Sequence, residues 1–162
     1  TELAARLDLR DIRILRPDPA LRAATDPYGA LHLTEPDQCC ALRKTQPLEQ
    51  ALQGFDAWIT GRKRYQGQTR SALDFFEQED ATGRVKINPL AHWEPSDVAE
   101  YLLNNRLPRH PLVSKGYPSI GCAPCTSPVN PGEDARAGRW RGQEKTECGI
   151  HFTQGKIERT PS

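Results

Sequence analysis

The sequence contains no methionine, and its first residue, Thr1, already sits in a helical pattern with Leu3, Ala4 and Leu7. Thr1 is therefore expected to be an internal position of a longer parent chain. No apolar run approaches the roughly 18 residues that a membrane span requires, so no membrane partner is expected. The opening stretch TELAARLDLRDIRIL lacks the basic and apolar regions of a signal peptide, which points to a cytoplasmic protein. Net charge is also scarce: 22 basic side chains face 21 acidic ones, for a formal +1. That balance excludes a globally basic nucleic-acid coat and an acidic tail, so any anion site must be assembled locally. Repeats and low-complexity tracts are absent.

What is present reads as one domain of 162 residues. Residues 2–8 have helical spacing, and DIRILR (11–16) alternates apolar and polar residues as a strand does. Asp37 is a candidate N-cap that would place Cys39 and Cys40 in a helix's first turn. Pro47 is expected to start a short helix running to Leu52. FDAWITG (55–61) and VKINPL (85–90) read as strands, and EPSDVAEYLLNNRLP (94–108) as a helix with Pro95 in its first turn. Alternating strand and helix signals predict an α/β layer structure with a largely parallel sheet. Ligands in such sheets bind beyond the carboxyl ends of the strands, which draws attention to GRKRYQ (61–66). After about residue 108 the periodicity fades into Pro/Gly-rich chain.

The five cysteines are Cys39, Cys40, Cys122, Cys125 and Cys148. An odd number in a reducing compartment argues against a disulfide framework and for metal binding or catalysis. Cys122-Ala123-Pro124-Cys125 has the spacing of a thioredoxin-like dithiol, but Pro128 and Pro131 forbid the long helix that would activate it. Setting one cysteine aside leaves an adjacent pair and a CxxC. Four thiolates suit zinc or an iron-sulfur cluster. Neighbouring cysteines diverge in direction, which favours a multi-iron cluster over one tetrahedral ion. Lys44, four residues after Cys40, is on the same helical face.

Arg62, Lys63, Arg64 and Arg70 crowd one post-strand loop, and Arg136 and Arg139 are three residues apart. Guanidinium forks are the preferred partners of phosphate and sulfate oxygens, so two such groups converging would form an oxyanion pocket. Cys148 stands in KTECGIH, with His151 three residues on. Nearby cations would raise its thiolate fraction.

Together, CCALRK, WITGRKRYQ, VKINPLAHW, GYPSIGCAPCTSPVNPGEDARAGRW and ECGIH resemble the assimilatory adenylyl-sulfate (APS) reductases, relatives of the 3'-phosphoadenylyl-sulfate (PAPS) reductases, across roughly residues 1–152. The resemblance implies a Rossmann-like parallel sheet of the adenine nucleotide alpha-hydrolase type. Residues 1–110 would be the C-terminal part of the nucleotide-binding α/β domain, and 111–162 its irregular cluster-binding loop and catalytic tail. It implies Cys39, Cys40, Cys122 and Cys125 as ligands of a [4Fe-4S] cluster and Cys148 as the nucleophile. Lys44 would lie between cluster and substrate, Arg64, Arg70, Arg136 and Arg139 would bind the substrate's anionic end, and His151 would be catalytic beside Cys148, matching a group at that same end. The implied reaction converts APS to sulfite and AMP through a cysteine S-sulfonate. Four ligands leave no internal resolving thiol, so thioredoxin is the expected partner. Two departures stand out: Arg62 and Lys63 replace an aliphatic residue and an arginine, and the family's glycine/serine-rich nucleotide loop is not in this sequence. Its amino-terminal part is accordingly expected to be missing. A PAPS reductase and an inactive iron-sulfur remnant are the competing readings; oligomeric state, a homo-oligomer included, is left open.

Overall fold

The computed structural model describes residues 2–151, the side chain of His151 excepted. Helix α1 (Glu2–Arg6) is followed by a turn through Asp8 (φ 48°) and by chain without regular secondary structure to Asp18. The strand expected at 11–16 does not form. Asp11 and Arg13 pair with each other at 2.8 Å, and Ile12 and Ile14 remain exposed. Alternation yields a strand only where a neighbour accepts the backbone hydrogen bonds, and this segment pairs with none of the described strands.

Helix α2 (Pro19–Thr25) starts where Asp18 caps the Leu21 amide at 2.8 Å. Asp26 accepts from the Leu31 amide at the start of α3 (Leu31–Thr34). It also pairs with Arg43 at 2.6 Å. Next come α4 (Pro36–Cys40), a widened π turn (Ala41–Thr45) and α5 (Gln46–Ala51), with helical backbone angles across both junctions. Pro47 explains the widening. It has no amide proton and its ring would strike the carbonyl four residues back, so the Gln46 amide bonds to Ala41, five residues back, instead. Pro47 thus stands at the start of α5, with Leu52 as its C-cap, and the chain enters that helix through the widened turn rather than through a loop.

The sheet is small and mixed. Strand β1 (Ala57–Ile59) runs parallel to β3 (Val85–Ile87), and β2 (Phe76–Gln78) runs antiparallel to it, in the order β1-β3-β2. This corrects the largely parallel expectation. The connection 79–84 is a tight hairpin with Gly83 at φ 72°, and hairpins join antiparallel strands. The described residues form a mixed α/β fold around this three-stranded sheet. Helix α6 (Pro95–Asn104) matches its sequence signal, with Glu94 and Asp97 forming a capping box. Beyond it the described chain contains only short 3-10 turns.

The sheet encloses charge rather than only apolar side chains. Lys86 (1% exposed) pairs with Glu79 at 3.2 Å and lies 5.5 Å from the Trp58 ring centre. Asn88 (0% exposed), directly after β3, is the hub at the adjoining carboxyl ends of β1 and β3. Its Oδ1 accepts from Thr60 Oγ1 and, at 3.2 Å, from Arg62, while its Nδ2 donates to Asp74 O and Glu77. Arg62 also pairs with Glu77. The network ties the post-β1 loop to the sheet. Asn88→Ala strands four polar partners in a dry site and is expected to lower unfolding free energy by about 3 kcal/mol, measurable as a reduced urea midpoint at unchanged slope.

Candidate active site

Pro36 at the first helical position fixes the start of α4, and Glu35 holds the N-cap place in the backbone, not Asp37. Asp37 lies in the first turn and takes Lys145 from the C-terminal segment. Cys39 and Cys40 therefore close this helix instead of opening it. They diverge as their adjacency requires: Arg43 approaches the Cys39 sulfur at 3.8 Å, whereas Cys40 is buried against Trp140 and Cys148, with Cys125 and Ile150 packed on the same cluster.

Cys122 and Cys125 bracket a single 3-10 turn (Ala123–Cys125). The Cys125 amide donates to Cys122 O at 3.0 Å, and Thr126 Oγ1 donates to the same carbonyl at 2.8 Å. No helix follows, so the dithiol lacks the helix N-terminus that activates thioredoxin-like cysteines. Burial pushes the Cys125 thiol up, reinforced by the charges of Cys122 and Cys39. Those thiols thus lie within electrostatic reach of one another across two elements. All five cysteines are free. Among the described residues no group of three or more His, Cys, Asp or Glu side chains is arranged to hold a single metal ion.

Lys44 joins the thiols. Its Nζ lies 3.6 Å from Cys148 Sγ, with Cys122 and Cys40 near enough to act on its charge. Burial alone would lower its pKa, but the neighbouring charges of Cys148, Cys122 and Cys40 outweigh it and hold the ammonium more firmly protonated. Cys148 is 5% exposed and shifts the opposite way. A hydrogen bond from Cys40, with the Ile150 amide and Lys44, outweighs burial and favours the thiolate.

A cavity of about 400 Å³ lies beyond β1. Arg62, Arg70, Arg136 and Arg139 line it, with Tyr65 and Ser119 among the polar neighbours. Burial, with Arg70 and Arg139 nearby, pushes the Arg136 guanidinium down against the opposing pull of Glu147. Such crowding of like charge is relieved by an anion. Arg139 lies over the Trp140 ring, 4.4 Å from its centre, and crosses Gly121 so closely that a Cβ there would collide with its guanidinium. Its Nε has no hydrogen-bond partner among the described residues. Trp140 itself takes a left-handed backbone, φ 49°, with its amide on Cys125 O at 3.1 Å. That conformation is uncommon outside glycine and turns the ring into the cysteine cluster.

Of the residues singled out in the sequence, Arg70, Arg136 and Arg139 meet at the cavity, and Lys44 meets the cysteines. Arg64 instead donates to Leu73 O at 2.7 Å and approaches Asp74 at 3.5 Å, and it is not a cavity residue. The His151 side chain lies outside the described residues. Glu147 was not singled out. It forms two 2.7 Å hydrogen bonds with Arg70 and lies 3.7 Å from Arg136. Its only sequence signal is its place beside Cys148.

The profile of the phosphoadenosine phosphosulfate reductase domain matches residues 1–128. The chain belongs to that family. It is 51% identical over 158 residues to an adenosine 5'-phosphosulfate reductase of Mesorhizobium japonicum, covering 98% of this chain and 61% of that protein. To adenosine 5'-phosphosulfate reductase 1 of Bacillus subtilis it is 46% identical over 142 residues, covering 87% and 61%. The chain thus spans 61% of the length of either relative. Among solved structures, a Candida auris phosphoadenylyl-sulfate reductase in complex with phosphate superposes with a TM-score of 0.63 at 30% identity, covering 79% of this chain and 62% of that one. The family match reaches through the CxxC turn, and the arginine pair and Cys148 follow it.

The loop presenting the two later arginines of this family member is held by Glu133. Arg141 approaches its carboxylate at 2.8 Å and the Asn130 amide donates to it at 2.8 Å. Arg141 first, then Asn130, pull its pKa from 4.5 to about 2. A depressed carboxylate stabilises the fold above its unfolded pKa and loses that contribution as pH falls through the folded one. The expected result is loss of protease resistance at 128–141 between pH 4.5 and about 2. Glu133→Gln should show that susceptibility already at neutral pH, mapped by limited proteolysis.

Proposed function

We propose that this chain carries the nucleophile and cluster-binding part of an APS reductase of sulfate assimilation, an oxidoreductase located in the cytoplasm. The observation that carries the reading is Cys148: a buried thiol 3.6 Å from Lys44, clustered with Cys40 and Cys125 and following Glu147, which binds Arg70 of the arginine-lined cavity. The names of the relatives agree with it.

In the proposed reaction the Cys148 thiolate attacks the sulfur of APS, the bond to the bridging oxygen breaks, and AMP leaves with the electron pair. A cysteine S-sulfonate remains. A thiolate of thioredoxin then attacks the Cys148 sulfur, releasing sulfite and leaving a mixed disulfide, and the second thioredoxin thiolate attacks the thioredoxin sulfur of that bond, freeing the Cys148 thiolate as the dithiol closes to its disulfide. Both electrons come from that dithiol. Lys44 holds the thiolate and balances charge as the sulfuryl group transfers. Arg70, Arg136 and Arg139 hold the anionic end of the nucleotide in the cavity, and His151 remains a candidate there.

Cys39, Cys40, Cys122 and Cys125 would hold a [4Fe-4S] cluster. The donor chemistry fits: the Cys125 thiol feels the charges of Cys122 and Cys39, and Cys122 and Cys40 both act on Lys44. When bound, the cluster supplies a fixed charge beside Lys44 and cross-links the α4 helix to the CxxC turn. PAPS reduction is the second reading, favoured by the Candida auris neighbour. Comparing turnover of the two nucleotides separates them.

Anaerobically purified protein is expected to contain about four irons and four sulfides per chain. One zinc and no sulfide would refute the cluster assignment. Cys148→Ala is expected to abolish sulfite formation from APS with thioredoxin. Lys44→Ala should retain its iron while slowing S-sulfonate formation by about a hundredfold, read by mass spectrometry of the Cys148 peptide; full turnover with iron retained would remove Lys44 from the mechanism.

A further inference from the structure

Cys148 does not line the arginine cavity, although three of the arginines assigned to the substrate's anionic end do. It sits beneath Lys44 and against Cys40 and Trp140. A nucleophile so placed must shift before it reaches a ligand in the cavity. What holds it there is the residue before it.

The Glu147 carboxylate binds the Nε and Nη2 edge of Arg70 through two 2.7 Å hydrogen bonds. Arg136 lies 3.7 Å from the same Oε1 and donates to Thr146 O at 2.8 Å. Oε1 also accepts the Cys148 amide at 3.0 Å. Arg70 and Glu147, 77 positions apart in sequence, are both buried. One carboxylate therefore occupies the edge with which Arg70 would grip an oxyanion and simultaneously restrains the backbone of the nucleophile. Carboxylate, sulfate and phosphate present equivalent pairs of oxygens to a guanidinium edge.

We propose that Glu147 is an internal occupant of the anion site, a positioning residue whose carboxylate is displaced from Arg70 and Arg136 by the anionic group of the ligand, releasing the Cys148 segment toward the cavity. The proposal rests on assigning the cavity to the substrate's anion. Before a ligand arrives, Arg70 and Arg136 share the single Glu147 carboxylate and the thiol is shielded. When one binds, Arg70 exchanges one oxyanion for another with little reorganisation. The Cys148 amide loses its acceptor in the same event, so filling the site and freeing the nucleophile are coupled. A permanent structural ion pair makes the opposite prediction: removing Glu147 would disorder Arg70 and weaken anion binding.

The test uses inorganic sulfate on the intact, anaerobically purified protein and needs no turnover. Alkylation of Cys148 by iodoacetamide, localised by peptide mass spectrometry, is compared in sulfate and in chloride at equal ionic strength. Sulfate affinity is measured by calorimetry. In the unsubstituted protein sulfate should accelerate Cys148 alkylation several-fold. In Glu147→Gln alkylation should be fast without sulfate, and sulfate should bind about tenfold more tightly, a gain of about 1.4 kcal/mol. Glu147→Asp should restore the sulfate dependence. Sulfate that leaves alkylation unchanged or slows it, or weaker or equal binding in Glu147→Gln, overturns the proposal. Should Glu147→Gln fail to fold, the comparison in the unsubstituted protein decides alone. Turnover of APS is scored separately: the sulfate response without turnover would retire the reductase assignment and leave the exchange standing, whereas turnover without the response would do the reverse.

Discussion

A guanidinium and a carboxylate buried together, Arg70 and Glu147, join the two halves of the site. Either ion alone in that setting would cost several kcal/mol. Paired, they fasten the segment carrying Cys148 to the loop that follows β1. Burial would raise the Glu147 pKa, but the Arg70 hydrogen bonds and charge reverse it and keep the carboxylate ionised. The same contact brings the chain's last described turn over the cysteine-bearing helix. There Lys145 reaches Asp37 and lies 5.7 Å from the Trp140 ring centre.

The geometry around this pair depends on a few local steric facts. Pro47 widens the helical turn that presents Lys44. Gly138 lies so close to the Ser127 carbonyl that a Cβ would collide with it, and Gly121 leaves room for the Arg139 guanidinium. Between them, Trp140 supplies the buried face shared by Cys40, Cys125 and Cys148. The apolar core is sparse, and exposed apolar side chains persist at Leu9, Ile12, Ile14 and at Ile59 of the edge strand (71% exposed). Rigidity at the site comes chiefly from satisfied polar networks, as at Asn88, in which each buried group restrains several others.

Much of this organisation was legible in the sequence. Helix α6 announced itself through Pro95, its acidic first turn and its apolar spacing, and β1 and β3 through short apolar runs. The CxxC was readable as a loop because Pro128 and Pro131 exclude a helix by local sterics alone. Strand 11–16 misled because alternation describes a face, and a face becomes a strand only beside another strand. Strand β2 carries no such signal, because Phe76-Glu77-Gln78 has a single apolar residue and its pairing is set by the hairpin to β3. Asp37 looked like a cap by residue type, yet Pro36 had already fixed the start of the helix.

The sequence by itself determined the chemistry available: five thiols in a distinctive spacing, the arginines, a lysine one turn from the paired cysteines, and the prolines that forbid helices. Those follow from residue identity and local sterics, which act over a few positions. Tertiary structure decided which of them meet. Arg62 became a structural partner of Asn88 and Glu77 at the cavity wall, Arg64 turned to Leu73 and Asp74, and Glu147 became the partner of Arg70. Pairing across 77 residues depends on burial and on the exclusion of water, and neither is encoded at any single position.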